Sequence, residues 1–142
     1  MYGWGAFSPV VSIQAAQQPD PVVTVATANS GTNVVIIWTA PVDNFAVITA
    51  FDLKIENNAG AFVDATSSCQ ESAATLLVTQ TCTIPLTTLR SAPFSLSYNK
   101  LVVAIVNSQN MYGQSDYSQP NVHGATIRTE PTQVLGLTYL PL

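Results

Sequence analysis

Apolar and polar positions alternate along much of this chain with a period of two, in runs of strand length. From Ile48 to Glu56 the residues Phe51, Leu53 and Ile55 fall on one side and Asp52, Lys54 and Glu56 on the other, which predicts a strand with one core face and one wet face. Asn33 to Thr39 is a short apolar run between Ser-Gly-Thr and Ala-Pro, the pattern of a buried strand ended by a proline. Asn57-Asn58-Ala59-Gly60 carries turn residues that tolerate positive φ, so Ala61-Phe62-Val63 returns as the second arm of a hairpin. Leu76 to Val78 and Cys82 to Leu86 predict short strands, Lys100 to Ser108 a long one, and Asp116 to Ile127 the closing strand. No helical period is sustained. Turn signals about every 8 to 12 residues between such runs predict an all-β sandwich of about seven strands.

A second periodicity is longer. Met1-Tyr2-Gly3 recurs as Met111-Tyr112-Gly113, 110 positions on, and Phe7-Ser8 falls at the same offset as Tyr117-Ser118. A proline followed by a Val or Leu run succeeds both copies, at Pro19 to Val23 and Pro131 to Leu135. Drifted sequence with kept spacing predicts tandem domains: residues 1–19 end a preceding repeat, 20–130 form a complete domain, and 131–142 open a following one. Met1 then reads as an internal residue. With no basic or apolar leader behind it, any targeting signal is expected upstream.

Charge narrows the function classes. Asp, Glu, Lys and Arg make up 8% of the chain against roughly 25% in an ordinary soluble domain, while apolar content is near average. A chain so rich in Val, Ile and Thr is folded and β-rich rather than disordered. The net charge is −4, and Lys54, Arg90, Lys100 and Arg128 are scattered, so no basic stripe exists to neutralise phosphates and nucleic acid is not an expected partner. The longest apolar runs, Val34 to Trp38 and Leu101 to Val106, are too short to span a membrane.

Cys69 and Cys82 lie among Ser, Thr and Gln with no further cysteine and only His123 elsewhere, which leaves zinc under-coordinated. Composition and pairing favour a disulfide over two unrelated thiols. Such a bridge would restrict the unfolded chain by roughly 3 kcal/mol and implies oxidising surroundings.

The order of motifs resembles the fibronectin type III domain. Trp38 followed by Pro41, Ile48-Thr49-Ala50-Phe51 opening an alternating strand, Ile84-Pro85-Leu86 and Leu89 match that family's pattern. The late signature is the most specific: Val102, Ala104, Val106 and Ser108 alternate into Asn110-Met111-Tyr112-Gly113-Gln114-Ser115, similar to the family's strand F running into an N-x-x-G-x-S turn. The resemblance covers about Pro19 to Pro131, and Tyr2 to Pro19 matches the end of a preceding copy. Val102 stands where the family has an aromatic, and the cysteine pair is not a general family feature. The resemblance implies an immunoglobulin-like seven-stranded sandwich with Trp38 as a core residue of strand B. Trp4, which replaces Gln114 in the first copy of the turn, is read as an aromatic either at a domain junction or at a solvent edge.

One pattern departs from an ordinary antiparallel sheet. With Val102, Ala104 and Val106 turned to the core, Leu101, Val103 and Ile105 face the other way, and Val35 and Ile37 repeat this in the earlier strand. Two readings stand: these five residues are an assembly surface covered by neighbouring domains or chains, or they reflect β-propensity on a tolerated surface.

Catalytic constellations are missing from the pattern. His123 has no cysteine or carboxylate arrangement near it, the eight acidic residues lack metal-loop spacing, and no Gly-rich phosphate loop occurs, so no enzyme activity, cofactor or metal is expected. No Arg-Gly-Asp tripeptide and no Asn-x-Ser/Thr sequon is present. Hydroxyls cluster at Thr66-Ser67-Ser68, at Thr79 and Thr81, and at Thr87-Thr88, which are candidates for O-linked sugars on a charge-poor surface or simply turn and strand residues. The sequence therefore predicts a non-catalytic structural repeat of an extracellular or cell-surface tandem protein, self-associating into a fibre or filament. The alternative is an adhesion or receptor module whose loops, Asn110 to Gln114 above all, bind a protein or carbohydrate. A third is an accessory domain of a secreted carbohydrate-active enzyme.

Overall fold

The alternating runs pair into two antiparallel sheets in a computed structural model that describes residues 15–128. β1 (Val25–Ser30) joins β2 (Asn33–Trp38) through Gly31-Thr32, with Gly31 at φ 60, the Gly-first pattern of a tight hairpin turn. β2 then pairs with β5 (Thr81–Pro85), which completes a three-stranded sheet in the order β1-β2-β5. The second sheet has the order β4-β3-β6-β7, built from β3 (Ala50–Glu56), β4 (Phe62–Asp64), β6 (Ala104–Asn110) and β7 (Gly113–Gln114). The seven strands match the number predicted, and the architecture is an all-β, immunoglobulin-like sandwich.

The core follows from the alternation. Val34, Ile36 and Trp38 from β2 and Cys82 and Ile84 from β5 meet Phe51, Leu53 and Ile55 from β3 and Val102, Ala104 and Val106 from the strand opposite, all buried. Trp38 and Phe51 join the two sheets edge to face, with ring centroids 5.4 Å apart and planes at 65°. Trp38 is thus a core residue, as the resemblance implied.

Four predicted strands differ in the structure. Leu76 to Val78 lies in a helix, α1 (Ala73–Thr79), because the Ser72 hydroxyl caps it by accepting the Thr75 N–H and Gln80 ends it in the left-handed conformation. Leu86 leaves the predicted Cys82 to Leu86 strand and opens a single helical turn, α2 (Leu86–Leu89), which buries Leu86 and Leu89. The expectation of no helix therefore fails at these two short segments. β6 starts at Ala104 rather than Lys100, since Leu101 bridges Thr126 and the Val102 N–H goes to Ala125 O.

The closing strand is the fourth difference. Beyond β7, residues 115–121 run beside β6 with side chains doing the work of a backbone ladder. Ser115 N–H donates to Ser108 O at 2.8 Å while the Ser115 hydroxyl accepts the Ser108 N–H at 3.0 Å. Ser118 repeats this on Val106, at 2.9 and 3.1 Å. Asn121 completes the series, accepting the Ala104 N–H at 2.8 Å and donating to Val102 O at 3.0 Å. Steps of three along this segment meet steps of two along β6, so Ser108, Val106 and the Ala104 N–H find partners on this side without a regular strand.

Candidate interaction surfaces

The two open sides of the sandwich are closed by different chemistry. On the side of edge strands β4 and β5, Cys69 and Cys82 form the disulfide that composition favoured, with Cα atoms 5.1 Å apart. It joins the turn after β4 to β5, and Gln70 N–H to Thr83 O at 2.9 Å and Thr83 N–H to the Glu71 carboxylate at 2.6 Å support the same seam. On the opposite side the buried Thr27 hydroxyl accepts the Ala125 N–H at 2.9 Å and an Asn121 amide proton at 3.3 Å. Asn29 exchanges two hydrogen bonds with the backbone of Thr126, at 2.9 and 3.1 Å.

The five residues read as an assembly surface divide between the two sheets. Val35 and Ile37 face outward from the three-stranded sheet, and Leu101, Val103 and Ile105 from the other, so they point in opposite directions and form no single surface. Ile37 is exposed and the other four are half-buried. Part of the cover on Ile105 comes from the domain itself. Lys54, its partner on β3, reaches the ring of Tyr117 on the far side of β6, Nζ standing 4.9 Å from the centroid. Burial, then the nearby carboxylates of Asp52 and Asp64, push the Tyr117 hydroxyl pKa above its ordinary value.

The hydroxyl candidates also differ from one another. Thr66 is half-buried and its Oγ1 accepts the Leu53 N–H at 2.8 Å, which fixes it to β3. Thr81 and Thr79 donate to backbone carbonyls at 3.0 Å, and Ser67 lies 3.4 Å from an Asp64 oxygen. Ser67, Thr79 and Thr87 are exposed, while Ser68, Thr81 and Thr88 are half-buried. His123 sits exposed in a loop. Among the described residues no three His, Cys, Asp or Glu side chains gather as metal ligands, and no helix is long and apolar enough to cross a membrane. The positions of Trp4, residues 1–14 and residues 131–142 lie outside the described residues.

The turn singled out from Asn110 to Gln114 anchors one pole of the domain. Asn110 is buried, and its amide donates to the carbonyls of Gln17 at 2.7 Å and of Asp43 and Ala46 at 3.2 Å, while Oδ1 accepts the Tyr112 N–H at 2.8 Å. One side chain thus ties the incoming chain, the β2–β3 loop and the β6–β7 turn together. Asn44 adds bonds to Gln18 O and to Asp20 Oδ1, at 2.8 and 3.0 Å. Around this anchor Val42, Phe45, Val47, Met111 and Tyr112 are exposed, five of the ten large apolar side chains so exposed among the described residues. Two clefts flank them. One of about 470 Å³ is lined by Gln18, Asp20, Asn44, Tyr112 and Asp116, and an apolar one of about 460 Å³ by Pro41, Val47, Phe51 and Leu77. Phe45 and Thr27 carried no signal in the chain pattern. The three-residue spacing of Ser115, Ser118 and Asn121 was a visible one.

Comparisons with known proteins bear on the fold. The chain is similar to the twitchin kinase region from C. elegans, a fragment described as Fn31-NL-kin-CRD-Ig26, with a TM-score of 0.56 and 19% identity over 84% of this chain and 18% of that one. It is similar to a structure of titin kinase and its flanking domains with the same TM-score and 21% identity, over 81% of this chain and 18% of the other. The chain thus spans less than a fifth of either, and what it shares with them is the sandwich. No family model and no curated protein matches the sequence.

Proposed function

We propose that this chain supplies a non-catalytic, fibronectin type III-like structural repeat of a tandem-domain protein, extracellular or at the cell surface. One observation carries the reading. The chain comes in beside Asn110, at one end of β6, and leaves beside Lys100, where Ile127 N–H bonds Lys100 O at 2.9 Å and Asn99 N–H bonds Ile127 O at 2.8 Å. These points lie beyond opposite ends of β6 (Ala104–Asn110), itself about 20 Å long. A domain so threaded sets its neighbours in line, which suits a spacer. The Asn110-x-x-Gly113-x-Ser115 turn supports the family reading, and the Cys69–Cys82 bridge supports an oxidising compartment. Residues 1–19 and 131–142 then belong to neighbouring repeats, the partners the reading requires.

Assembly of such arrays into a filament is the finer form of this function, and Ile37, exposed on the outer face of the three-stranded sheet, is its best-placed residue. Electron microscopy of native material tests it: filaments with an axial repeat of a few nanometres support the structural role, and isolated flexible strings of beads point away from assembly. A second reading, a binding module, is favoured by exposed Tyr112 beside Asp20, Asp116 and Asn44 in the 470 Å³ cleft, a lining of the kind that takes a peptide or carbohydrate. A ligand lost on Tyr112→Ser with an unchanged fold would establish it. O-linked sugars on Ser67, Thr79 or Thr87 belong to the same extracellular reading, and an intact mass equal to the sequence mass would exclude them.

A further inference from the structure

The cleft of about 470 Å³ beside Tyr112 is built from loops, yet each of its walls is pinned. Tyr112 N–H donates to Asn110 Oδ1 at 2.8 Å, so its exposed ring projects from a turn that the buried Asn110 holds. The chain leading into the domain forms another wall. There Gln17 N–H is bonded to Asn44 O at 3.3 Å and Gln17 O accepts the Asn110 amide at 2.7 Å. Gln18 lies against the same turn, since a Cβ at Gly113 would stand 3.5 Å from Gln18 Oε1. Asn44 sits at φ 55, a left-handed conformation that asparagine tolerates, and donates to Gln18 O and to Asp20 Oδ1 at 2.8 and 3.0 Å, which orients the Asp20 carboxylate in the wall. Asp116 comes from the segment that Ser115 and Ser118 fasten to β6. The volume falls within the range of small-ligand sites, about 300–1,000 Å³, and a lining already held in place loses little freedom when a ligand arrives.

We propose that this cleft binds a neutral glycan, with a sugar ring stacked on Tyr112 and its hydroxyls held by Asp20, Asp116 and the Gln18 amide. The inference deepens the binding-module reading and rests on it. The lining selects the class of ligand. Tyr112 offers an apolar ring face with a polar tip, 54% exposed, which suits the C–H face of a pyranose. The two carboxylates only accept hydrogen bonds, whereas the amide and the phenol both donate and accept, so together they match hydroxyl groups, which also do both. No Lys, Arg or His lines the cleft, and the chain carries a net charge of −4. A uronate, sulfate or phosphate group would therefore stand beside two carboxylates with no counter-charge, which selects against anionic glycans. An ammonium or guanidinium group would suit the carboxylates but leave the donors of Gln18 and Tyr112 unmatched, and it is the competitor to be separated from a sugar.

Titration of the full chain, followed through its ¹⁵N–¹H amide shifts, tests this. The probes are neutral oligosaccharides of glucose, mannose, galactose and N-acetylglucosamine, a polyuronate of similar length, and a lysine-rich peptide. The expected result is saturable shifts at Gln18, Asn44, Tyr112 and Asp116 with at least one neutral oligosaccharide and none with the polyuronate. Tyr112→Ser should weaken that binding by about tenfold or more and Tyr112→Phe far less, with the spectrum of the remaining domain unchanged in both. Raising salt from about 0.05 to about 0.5 M should leave it within about twofold, because no ion pair is involved. Shifts at the same amides from the peptide alone, lost at high salt, would overturn the glycan and leave the binding-module reading standing. Equal shifts with the polyuronate would overturn the selection for neutral sugars. Sugar-induced shifts elsewhere, or ones that survive Tyr112→Ser, would overturn the site. No shift with any probe would overturn the glycan and the binding-module reading together.

Discussion

The Thr27 hydroxyl accepts the Ala125 N–H at 2.9 Å, and Gly124, the residue before it, runs so close to Thr27 that no other side chain fits between them. A Cβ at position 124 would meet Thr27 Oγ1 at 2.2 Å and Thr27 O at 2.6 Å, and Gly124 sits at φ 139, where side chains are strained in any case. Gly124→Ala is therefore expected to cost about 2–4 kcal/mol, the sum of overpacking and backbone strain. Urea unfolding measures it. Thr27→Val keeps the shape and removes the acceptor, leaving the buried Ala125 N–H without its partner, with an expected loss of about 1–3 kcal/mol. Thr27→Ser should recover most of that, which separates the hydroxyl from simple packing.

The disulfide closes the other side of the sandwich across 13 residues of sequence. Replacing both cysteines, Cys69→Ser with Cys82→Ala, is expected to lower stability by about 3 kcal/mol through release of the unfolded chain. Alanine at position 82 avoids placing a hydroxyl in a fully buried site. Denaturant melts with and without reductant check the same quantity on the unchanged chain, and equal midpoints would contradict it.

These two seams also show what the chain pattern could and could not convey. Phe51, Leu53 and Ile55 announce their strand because each faces the core at a period of two, and the sandwich follows from several such runs. Leu76-Leu77-Val78 is too short for periodicity to separate strand from helix, and the decision fell to the Ser72 cap and to Gln80 in the left-handed region. The segment from Ser115 to Asn121 contributes no regular ladder because its side chains replace the carbonyls a strand would offer to β6. Thr27 and Asn110 act on partners far away in sequence, 98 residues for Ala125 and 93 for Gln17, and nothing local marks them. The turn motif around Asn110 was visible, but as a ligand-binding loop rather than as an anchor. The outward apolar residues were visible too, yet their division between two sheets depends on pairing that alternation alone does not reveal.

Asn110 makes the polar anchor testable by two substitutions. Asn110→Ala removes the donor to three carbonyls and the acceptor for the Tyr112 N–H, for an expected loss of about 2–3 kcal/mol. Asn110→Asp keeps the acceptor but turns a carboxylate toward the carbonyls of Gln17, Asp43 and Ala46, and is expected to be at least as harmful. Hydrogen exchange adds a local readout. In both variants the Gln17 and Asp20 amides, bonded to Asn44 O and Val42 O, should exchange faster than in the parent while β2 and β3 stay protected. Uniform loss of protection would instead mean that Asn110 acts on the whole core.

Tyr117 sets the alkaline limit of the outer face of the four-stranded sheet. Its hydroxyl pKa is raised in the folded state, by burial first and by Asp52 and Asp64 after that. A raised pKa means the neutral phenol is favoured by folding, so this contribution is fully present below the unfolded value of about 10 and is lost as pH rises through the folded value. Ionisation would also place a negative phenolate beside two carboxylates. Stability is thus expected to fall above about pH 10, and Tyr117→Phe, which keeps the ring under Lys54 and removes the titrating group, should flatten that limb while leaving stability near pH 7 little changed. Thermal melts of both proteins from neutral to alkaline pH decide it. Parallel loss in the two would assign the alkaline limb to other groups and leave Tyr117 as a packing partner for Lys54 alone.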